Sequence, residues 1–332
     1  MSEEKTQVQN ARKDLDILNK MKNLPGGLVI IPLVIAVVLA TFVPQVFQIG
    51  GYVTALFYEG NACMMGFFLI VCGSMIDIKQ VGMPLYKGVI MTGTKFLLGV
   101  IVGLVVGKIC GPEGFLGIAP FVLIATITNS NGSLYISLSS QFGNATDTGA
   151  ISILSLNDGP FFTLIALGAT GLANIPIKSL IAVLVPLLIG FFWGNLDKGF
   201  RDACKTAQPI VTFFMTISIG AKTDIKTILT AGASGIVLGL ISAATAVIFF
   251  FVINLLLPKK ERNAMGAAIG TTALNSAMTP AAVAEADPSM EGMVSMATAQ
   301  CATASIITLF LCPFITAAVS YTHLTLPTIY SV

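Results

Sequence analysis

Apolar residues fill this chain in long runs separated by short polar connections, and the runs have helical length rather than the alternation of half-buried strands. The pattern predicts about ten spans: 28 to 43, 53 to 74, 86 to 107, 116 to 142, 149 to 172, 179 to 195, 207 to 221, 228 to 257, 264 to 286 and 293 to 319. A helical run of about 20 residues matches the roughly 30 Å hydrocarbon layer of a bilayer. The fourth and ninth spans are interrupted. "TITNSNGSLY" (Thr126 to Tyr135) sets two Asn, two Ser and a Gly inside the fourth, and "NSAMTP" (Asn275 to Pro280) breaks the ninth. Ahead of the first span, Val8, Ala11, Leu15, Leu18 and Lys22 keep helical spacing within charged sequence. Residues 1–27 therefore read as a cytoplasmic segment, either an amphipathic helix on the membrane surface or a solvated tail.

Composition sharpens this picture. With 55% hydrophobic and 10% charged residues and a mean hydropathy of +0.87, the chain is excluded from the ordinary soluble class and is read as an all-α polytopic membrane protein. A net charge of +2 without a basic tract argues against a nucleic-acid partner. Cys63, Cys72, Cys110, Cys204, Cys301 and Cys312 are scattered without C-x-x-C spacing, so they read as small core residues, and neither a metal nor a cofactor is expected. No secretory signal is expected either, because the first 27 residues are charged and no small-residue cleavage site follows. Lys and Arg in alternate connections divide 13 to 4, with Lys95 left inside a span. The richer side includes both termini and is assigned to the cytoplasm.

The sequence also matches itself. "GSMIDIK" (Gly73 to Lys79) returns as "GAKTDIK" (Gly220 to Lys226) at an offset of 147, and "TITNS" (Thr126 to Ser130) returns as "TALNS" (Thr272 to Ser276) at 146. Two matches in one order at nearly one offset point to duplication, giving five-span halves at 28–172 and 179–319. An odd number of spans per half forces the second half to enter the membrane inverted, the architecture of many secondary transporters. The two breaks then occupy equivalent places. Unwound backbone survives at membrane depth only where protein or water satisfies it, so paired breaks point to a transport site. The plainer alternative is a pair of kinks that shape helix packing.

Around the breaks, Asn129, Ser130, Asn131, Gly132, Ser133, Asn275, Ser276 and Thr279 are the candidate substrate-binding residues. Ionisable residues within spans are costly and usually meet a cavity or a partner. Asp158, in "LNDGPF", is the candidate proton carrier, with a structural role as partner of Lys95 as the alternative. Lys95, in "TGTKFLLG", is expected to pair with an acid or to meet a substrate carboxylate. Glu59, near the outer end of the second span, is the third proton-coupling candidate, although its position favours an interfacial charge. Glu285 and Asp287 read as a solvated rim, and Asp77 and Asp224 as helix-end residues. A channel would not need paired breaks in inverted copies, and no nucleophile and base, or metal set, supports an intramembrane enzyme.

"LPGGLVIIPL", "TNSNGSLYISLSSQFG", "LSLNDGPFFTLIALGATG" and "VPLLIGFFWGNLD" together resemble the 2-keto-3-deoxygluconate permease family, from roughly Leu24 to Ala318. The resemblance implies two crossing broken helices in a ten-span inverted-repeat carrier. It also implies proton-coupled uptake of a sugar-acid anion across a bacterial inner membrane. A Na+-coupled carrier of another organic anion on the same fold is the alternative. The chain carries Asn157, Asp158, Gly159 and Pro160 where Glu-Ser-Gly-Pro is usual in the family, and so departs from that pattern at Asn157 and Asp158. Residues 320–332, "SYTHLTLPTIYSV", have no counterpart in that family and resemble translated adapter sequence. The segment is expected to lie outside the fold, and its His323 outside any proton relay.

Overall fold

The computed structural model describes residues 15–23, 27–76, 82–154 and 160–329. Among these the chain is helical, with one isolated antiparallel bridge between Phe115 and Ile118. That bridge closes a tight loop in which Gly114 and Gly117 take φ of +70° and +72°. α1 (Ile17–Asn23) and α2 (Gly27–Phe42) come first. α3 (Gly51–Phe57) and α4 (Asn61–Ser74) follow, bent by 55° at the short link between them. The expected straight span 53 to 74 is therefore two helices. The bend falls where the Tyr58 and Glu59 amides both turn back to the Thr54 carbonyl, ending α3. α5 (Met83–Cys110) is continuous. The fourth span is split into α6 (Pro120–Thr128) and α7 (Gly132–Phe142), and the fifth into the short α8 (Ala145–Gly149), α9 (Ile151–Leu154) and α10 (Phe161–Thr170).

The second half holds α11 (Ile177–Leu196), α12 (Lys198–Gly220), α13 (Ile225–Leu256), the single turn α14 (Met265–Ala268), α15 (Thr279–Ala286) and α16 (Val294–Ile329). Asp197 starts α12 by accepting from the Gly199 and Phe200 amides, and Asp224 starts α13 by accepting from the Thr227 amide. These carboxylates satisfy amides that the first helical turn leaves unpaired. The backbone of α16 continues as helix through most of the segment expected to stand outside the fold.

Four stretches among the described residues are long and apolar enough to cross a membrane: Met83–Cys110, Ile177–Leu196, Ile225–Leu256 and Pro288–Tyr321. A fifth arises if bent α3 and α4 count as one. The outer faces of these helices are apolar. On α5, Val89, Leu97, Ile101, Val105 and Ile109 are exposed at multiples of one turn, while Lys87, Met91, Lys95, Gly99 and Gly103 are buried. The polar and small face points inward, the reverse of a soluble helix.

The helices sort into two groups. α12 lies against both α2 and α4, and α11 packs on α4. The other group comprises α5 to α10 and α13 to α16, built on the α13–α16 and α5–α6 contacts. Lipid tails give helices no hydrophobic reason to associate, so close backbone approach at small residues has to hold them. Gly190 and Gly194 of α11 sit on the backbone of Ile70 and Ser74 in α4, and Gly73 answers against Leu187. In the second group Gly99 and Gly103 of α5 face Thr128 and Ile124 of α6, and Gly235 and Gly239 of α13 face Thr303 and Ile307 of α16.

One end of the second group is fastened by charge. Lys87, counted from the sequence as a loop cation, lies within α5 with a side chain 0% exposed. Its ammonium meets Asp147 Oδ1 at 2.7 Å and Glu261 Oε2 at 3.1 Å. Asp147 also accepts from the Asn144 amide and from Asn263 Nδ2, and Glu261 from Thr146 Oγ1 and Asn144 Nδ2. Buried charges cost several kcal/mol each unless attraction and hydrogen bonds offset that cost, and this cluster supplies both. It ties the start of α5 to the α7–α8 turn and to the α13–α14 connection. Setting Lys87 aside reduces the cytoplasmic count to 12 against 4 and leaves the asymmetry intact.

Two outcomes follow for stability, both read by thermal unfolding in detergent. Gly190→Leu and Gly194→Leu each destabilise by about 1–3 kcal/mol through overpacking, whereas Gly93→Leu, where a side chain meets open space, is neutral within about 0.5 kcal/mol. In the ion cluster, the Lys87 ammonium foremost, then Asn144 and Thr146, hold the Glu261 carboxyl below its ordinary value of 4.5. A depressed carboxylate contributes its stability above the unfolded value and loses it as pH falls through the folded one. The stability difference between the parent chain and Glu261→Gln is therefore full at pH 6 and shrinks as pH falls below about 4.5; a difference that grew on acidification would overturn this assignment.

Candidate functional site

The two breaks arise from different local chemistry. α6 stops because Asn129 turns to extended backbone, φ −88° and ψ 141°. α7 starts where the Asn131 side chain accepts from the Leu134 amide at 3.0 Å. In the second break α14 ends within one turn, the chain runs through Gly270 to Ala273, and a 3-10 turn at Leu274–Met278 leads into α15. Pro280 in the first turn of α15 needs no amide partner.

The breaks meet at Lys95. This side chain is fully buried, and its Nζ donates to the Asn129 carbonyl at 2.5 Å and to the Thr271 carbonyl at 2.8 Å. The Phe249 ring lies 5.7 Å away, a cation–π distance. Direct bonds reinforce the crossing. The Asn131 amide donates to Thr271 Oγ1 at 3.1 Å, and Thr272 Oγ1 donates to the Thr126 carbonyl at 3.1 Å. α16 holds the second break from behind, with Thr308 Oγ1 accepting from the Thr272 amide and Ser305 Oγ donating to the Ala273 carbonyl. Gly99 and Gly103 let α5 come close enough for Lys95 to reach both segments.

A cavity of about 280 Å³ opens beside the crossing. Asn131, Gly132 and Ser133 of the first break and Ala273, Leu274 and Asn275 of the second form one wall. Leu28 and Val29 of α2, Phe68 of α4, and Gln208, Pro209 and Thr212 of α12 form the other. The cavity therefore lies between the two helix groups. Its distinctive feature is a pair of free donors. At the start of α7 the Asn131 and Leu134 amides are taken, while no described residue accepts from Gly132 or Ser133. Deeper in, Asn129 and Ser130 are 2% and 1% exposed, yet among the described residues neither the Asn129 side-chain amide nor the Ser130 hydroxyl has a hydrogen-bond partner.

The residues expected from the sequence thus divide. Asn131, Gly132, Ser133 and Asn275 share one cavity, with Asn129 and Ser130 buried behind it. Ser276 and Thr279 are buried and do not line it; the Ser276 hydroxyl lies 3.4 Å from Ser305 Oγ. Lys95 stands at the crossing, where it meets carbonyls and, among the described residues, no carboxylate. Asp158, together with Asn157 and Gly159, lies outside the described residues, as does Asp77. Glu59 is not at the crossing. It borders a separate cavity of about 450 Å³ with Lys222, Glu285 and Glu291, also between the two groups. Asp287, expected as part of a solvated rim, is buried and accepts from Ser289 and from the Asn174 amide; the Ser289 hydroxyl foremost holds its carboxyl below the usual range. Of the cysteines expected in the core, Cys63 and Cys110 are exposed. No group of three or more His, Cys, Asp or Glu among the described residues could hold a metal ion.

The wall from α12 was not anticipated. Gln208, Thr212 and Thr216 recur every four residues in an otherwise apolar run, and that stripe was the available signal. Thr271 and Thr272 were overshadowed by the Asn275–Ser276 pair beside them.

The family model for 2-keto-3-deoxygluconate permease matches residues 18–323. Among curated proteins, 2-keto-3-deoxygluconate permease 1 of Salmonella typhimurium is 43% identical over 92% of this chain and 96% of its own length. The 2-keto-3-deoxygluconate permease of Bacillus subtilis is 30% identical over 89% of this chain and 91% of its own. A multi-pass helical chain, two broken segments lashed around a buried lysine and this similarity along nearly the full length agree: the chain belongs to the 2-keto-3-deoxygluconate permease family, a family of transporters and not of enzymes.

Proposed function

We propose that this protein imports 2-keto-3-deoxygluconate, or a closely similar sugar acid, together with protons by alternating access across a bacterial inner membrane. The observation that carries this reading is the pair of unclaimed amides, Gly132 and Ser133, at the edge of a cavity built from both breaks. A helix start with open N–H groups attracts an anion, which suits the substrate carboxylate. Asn131, Ser133 and Asn275 offer donors and acceptors to hydroxyl groups. The unpartnered Asn129 and Ser130 side chains supply more if the bound substrate or water reaches them.

The proposed fold has ten spans in two inverted halves, 28–172 and 179–319, with both termini cytoplasmic and 320–332 outside the transport unit. Two features support it. Thr126 and Thr272, equivalent under the repeat offset of 146, hydrogen-bond each other. The repeat also relates α2 to α11 and α4 to α12, and α2 packs on α12 while α11 packs on α4, the exchange a two-fold axis produces. Alternating access is supported by cavities at two places along one seam. Phe68 faces the substrate cavity, whereas Met65 and Leu69, one turn or less away, face another of about 430 Å³. Relative movement of the two groups would open one and close the other.

Coupling follows from charge. A monoanion entering against an inside-negative potential is opposed by about 2.3 kcal/mol per 100 mV, so an accompanying cation is needed. Asp158 is the proposed proton carrier, with Lys95 as its proposed partner; Glu59, remote from the crossing, is retained only as a secondary candidate. The sodium-coupled reading is set aside because the Lys95 ammonium already takes the crossing carbonyls that would coordinate such an ion.

Proteoliposome uptake separates these elements. Asn129→Ala raises KM about tenfold, the loss of one hydrogen bond to a charged group, without lowering thermal stability, because its side-chain amide has no partner among the described residues. An unchanged KM for both Asn129→Ala and Ser133→Ala overturns the site. Asp158→Asn loses accumulation driven by a proton gradient yet keeps substrate exchange; full accumulation by this variant removes Asp158 from the coupling role.

A further inference from the structure

The wall of the cavity opposite the breaks carries chemistry that the transport reading has not used. Gln208 and Thr212 stand one helical turn apart on α12, on one face, with Pro209 between them. Both line the cavity across from Gly132, Ser133 and Asn275. Gln208 is half-buried and Thr212 is 9% exposed, and neither side chain hydrogen-bonds a described residue. The next polar residue on the same stripe behaves differently: Thr216 Oγ1 donates to the Thr212 carbonyl at 2.7 Å and is satisfied within the helix. A half-buried amide and a hydroxyl that line a cavity without a described protein partner are open to a ligand's hydroxyl groups. Pro209 adds to the polarity, because it lacks the N–H that the Lys205 carbonyl would otherwise receive.

We infer that Gln208 and Thr212 are the specificity-determining residues for the hydroxylated end of the substrate. This rests on the transport reading above and extends it from the anionic end to the remainder of the molecule. A 2-keto-3-deoxy acid of six carbons has four chemically distinct parts: a carboxylate, a keto group, a methylene beside it, and a run of hydroxyls. With the carboxylate at the start of α7, the cavity offers Val29 and Phe68 to the methylene, and Gln208 and Thr212 to the hydroxyls. The Gln208 amide presents one acceptor and two donors, enough for adjacent hydroxyls, and the Thr212 hydroxyl can donate or accept. A site that hydrogen-bonds substrate hydroxyls rejects an analogue lacking them far more strongly than an apolar pocket rejects a missing methylene, because its own polar groups are then left unpaired. Discrimination consequently comes from the helix group opposite the anion-binding breaks.

The test uses the full chain in proteoliposomes, with 2-keto-3-deoxygluconate as substrate and pyruvate, a 2-keto acid without hydroxyls, as competitor. Gln208→Leu and the near-isosteric Thr212→Val each raise KM tenfold or more with little change in maximal rate, and pyruvate becomes a better competitor relative to substrate. Thr212→Ser restores the parent KM and selectivity. Unchanged KM and selectivity in both Gln208→Leu and Thr212→Val, with parent-like thermal unfolding, overturns the assignment. Ser133→Ala and Asn129→Ala, assayed alongside, distinguish the two levels of failure. If they raise KM while the α12 variants do not, only the role of α12 falls; if none of the four raises KM, the site itself is misplaced.

Discussion

A lysine ammonium has three donors, and Lys95 gives two of them to carbonyls that no helix satisfies. Interrupting a membrane helix exposes backbone groups that cost several kcal/mol each if left unpaired, so neither break is tolerable without such a partner. One side chain serves both, and in doing so fixes where the two segments cross. The surrounding features follow from that constraint. α5 must approach α6 without intervening side chains, hence Gly99 and Gly103 against Thr128 and Ile124. The carbonyl ends of the breaks turn toward the lysine, and the amide start of α7 is left facing the cavity.

Lys87 and Lys95 are eight residues apart on the buried face of the same helix, about 12 Å along its axis. They solve the problem of a buried cation in opposite ways. Lys87 is paired with two carboxylates inside a fully hydrogen-bonded cluster, a rigid clamp between α5, the α7–α8 turn and the α13–α14 connection. Lys95, among the described residues, meets only carbonyl dipoles and a ring face. The clamp holds the frame in which the crossing sits.

The breaks were legible in the sequence because polar residues at membrane depth have few explanations, and the self-matches at offsets of 147 and 146 pointed to them as a pair. The bend between α3 and α4 was not, because hydropathy records apolar length and is blind to the direction of a helix axis. Lys87 was misread for a related reason. Counting cations at span ends assumes they face water, and the acids that bury Lys87 are 60 and 174 residues away in the chain. Asp287 shows the same blindness for an acid, since its partner Asn174 is 113 residues away in the chain. Ser276 and Thr279 illustrate the opposite error: they sit in the right break but turn toward protein.

The cavity's position between two helix groups has a consequence for transport. On the proposed site, substrate bridges the seam, with its anionic end on the breaks and its hydroxylated end on α12. Movement of one group past the other cannot preserve both sets of contacts unless the substrate travels with one of them. The breaks hold the stronger, charge-assisted contacts, so substrate is expected to move with α7 and to leave the hydroxyl contacts on α12 behind. Affinity would then reside mainly in the group that carries the crossing, and selectivity in the group it slides against. The two properties can change separately, since the lysine-centred crossing constrains α5, α6, α14 and α15 while leaving the facing wall of α12 free to change.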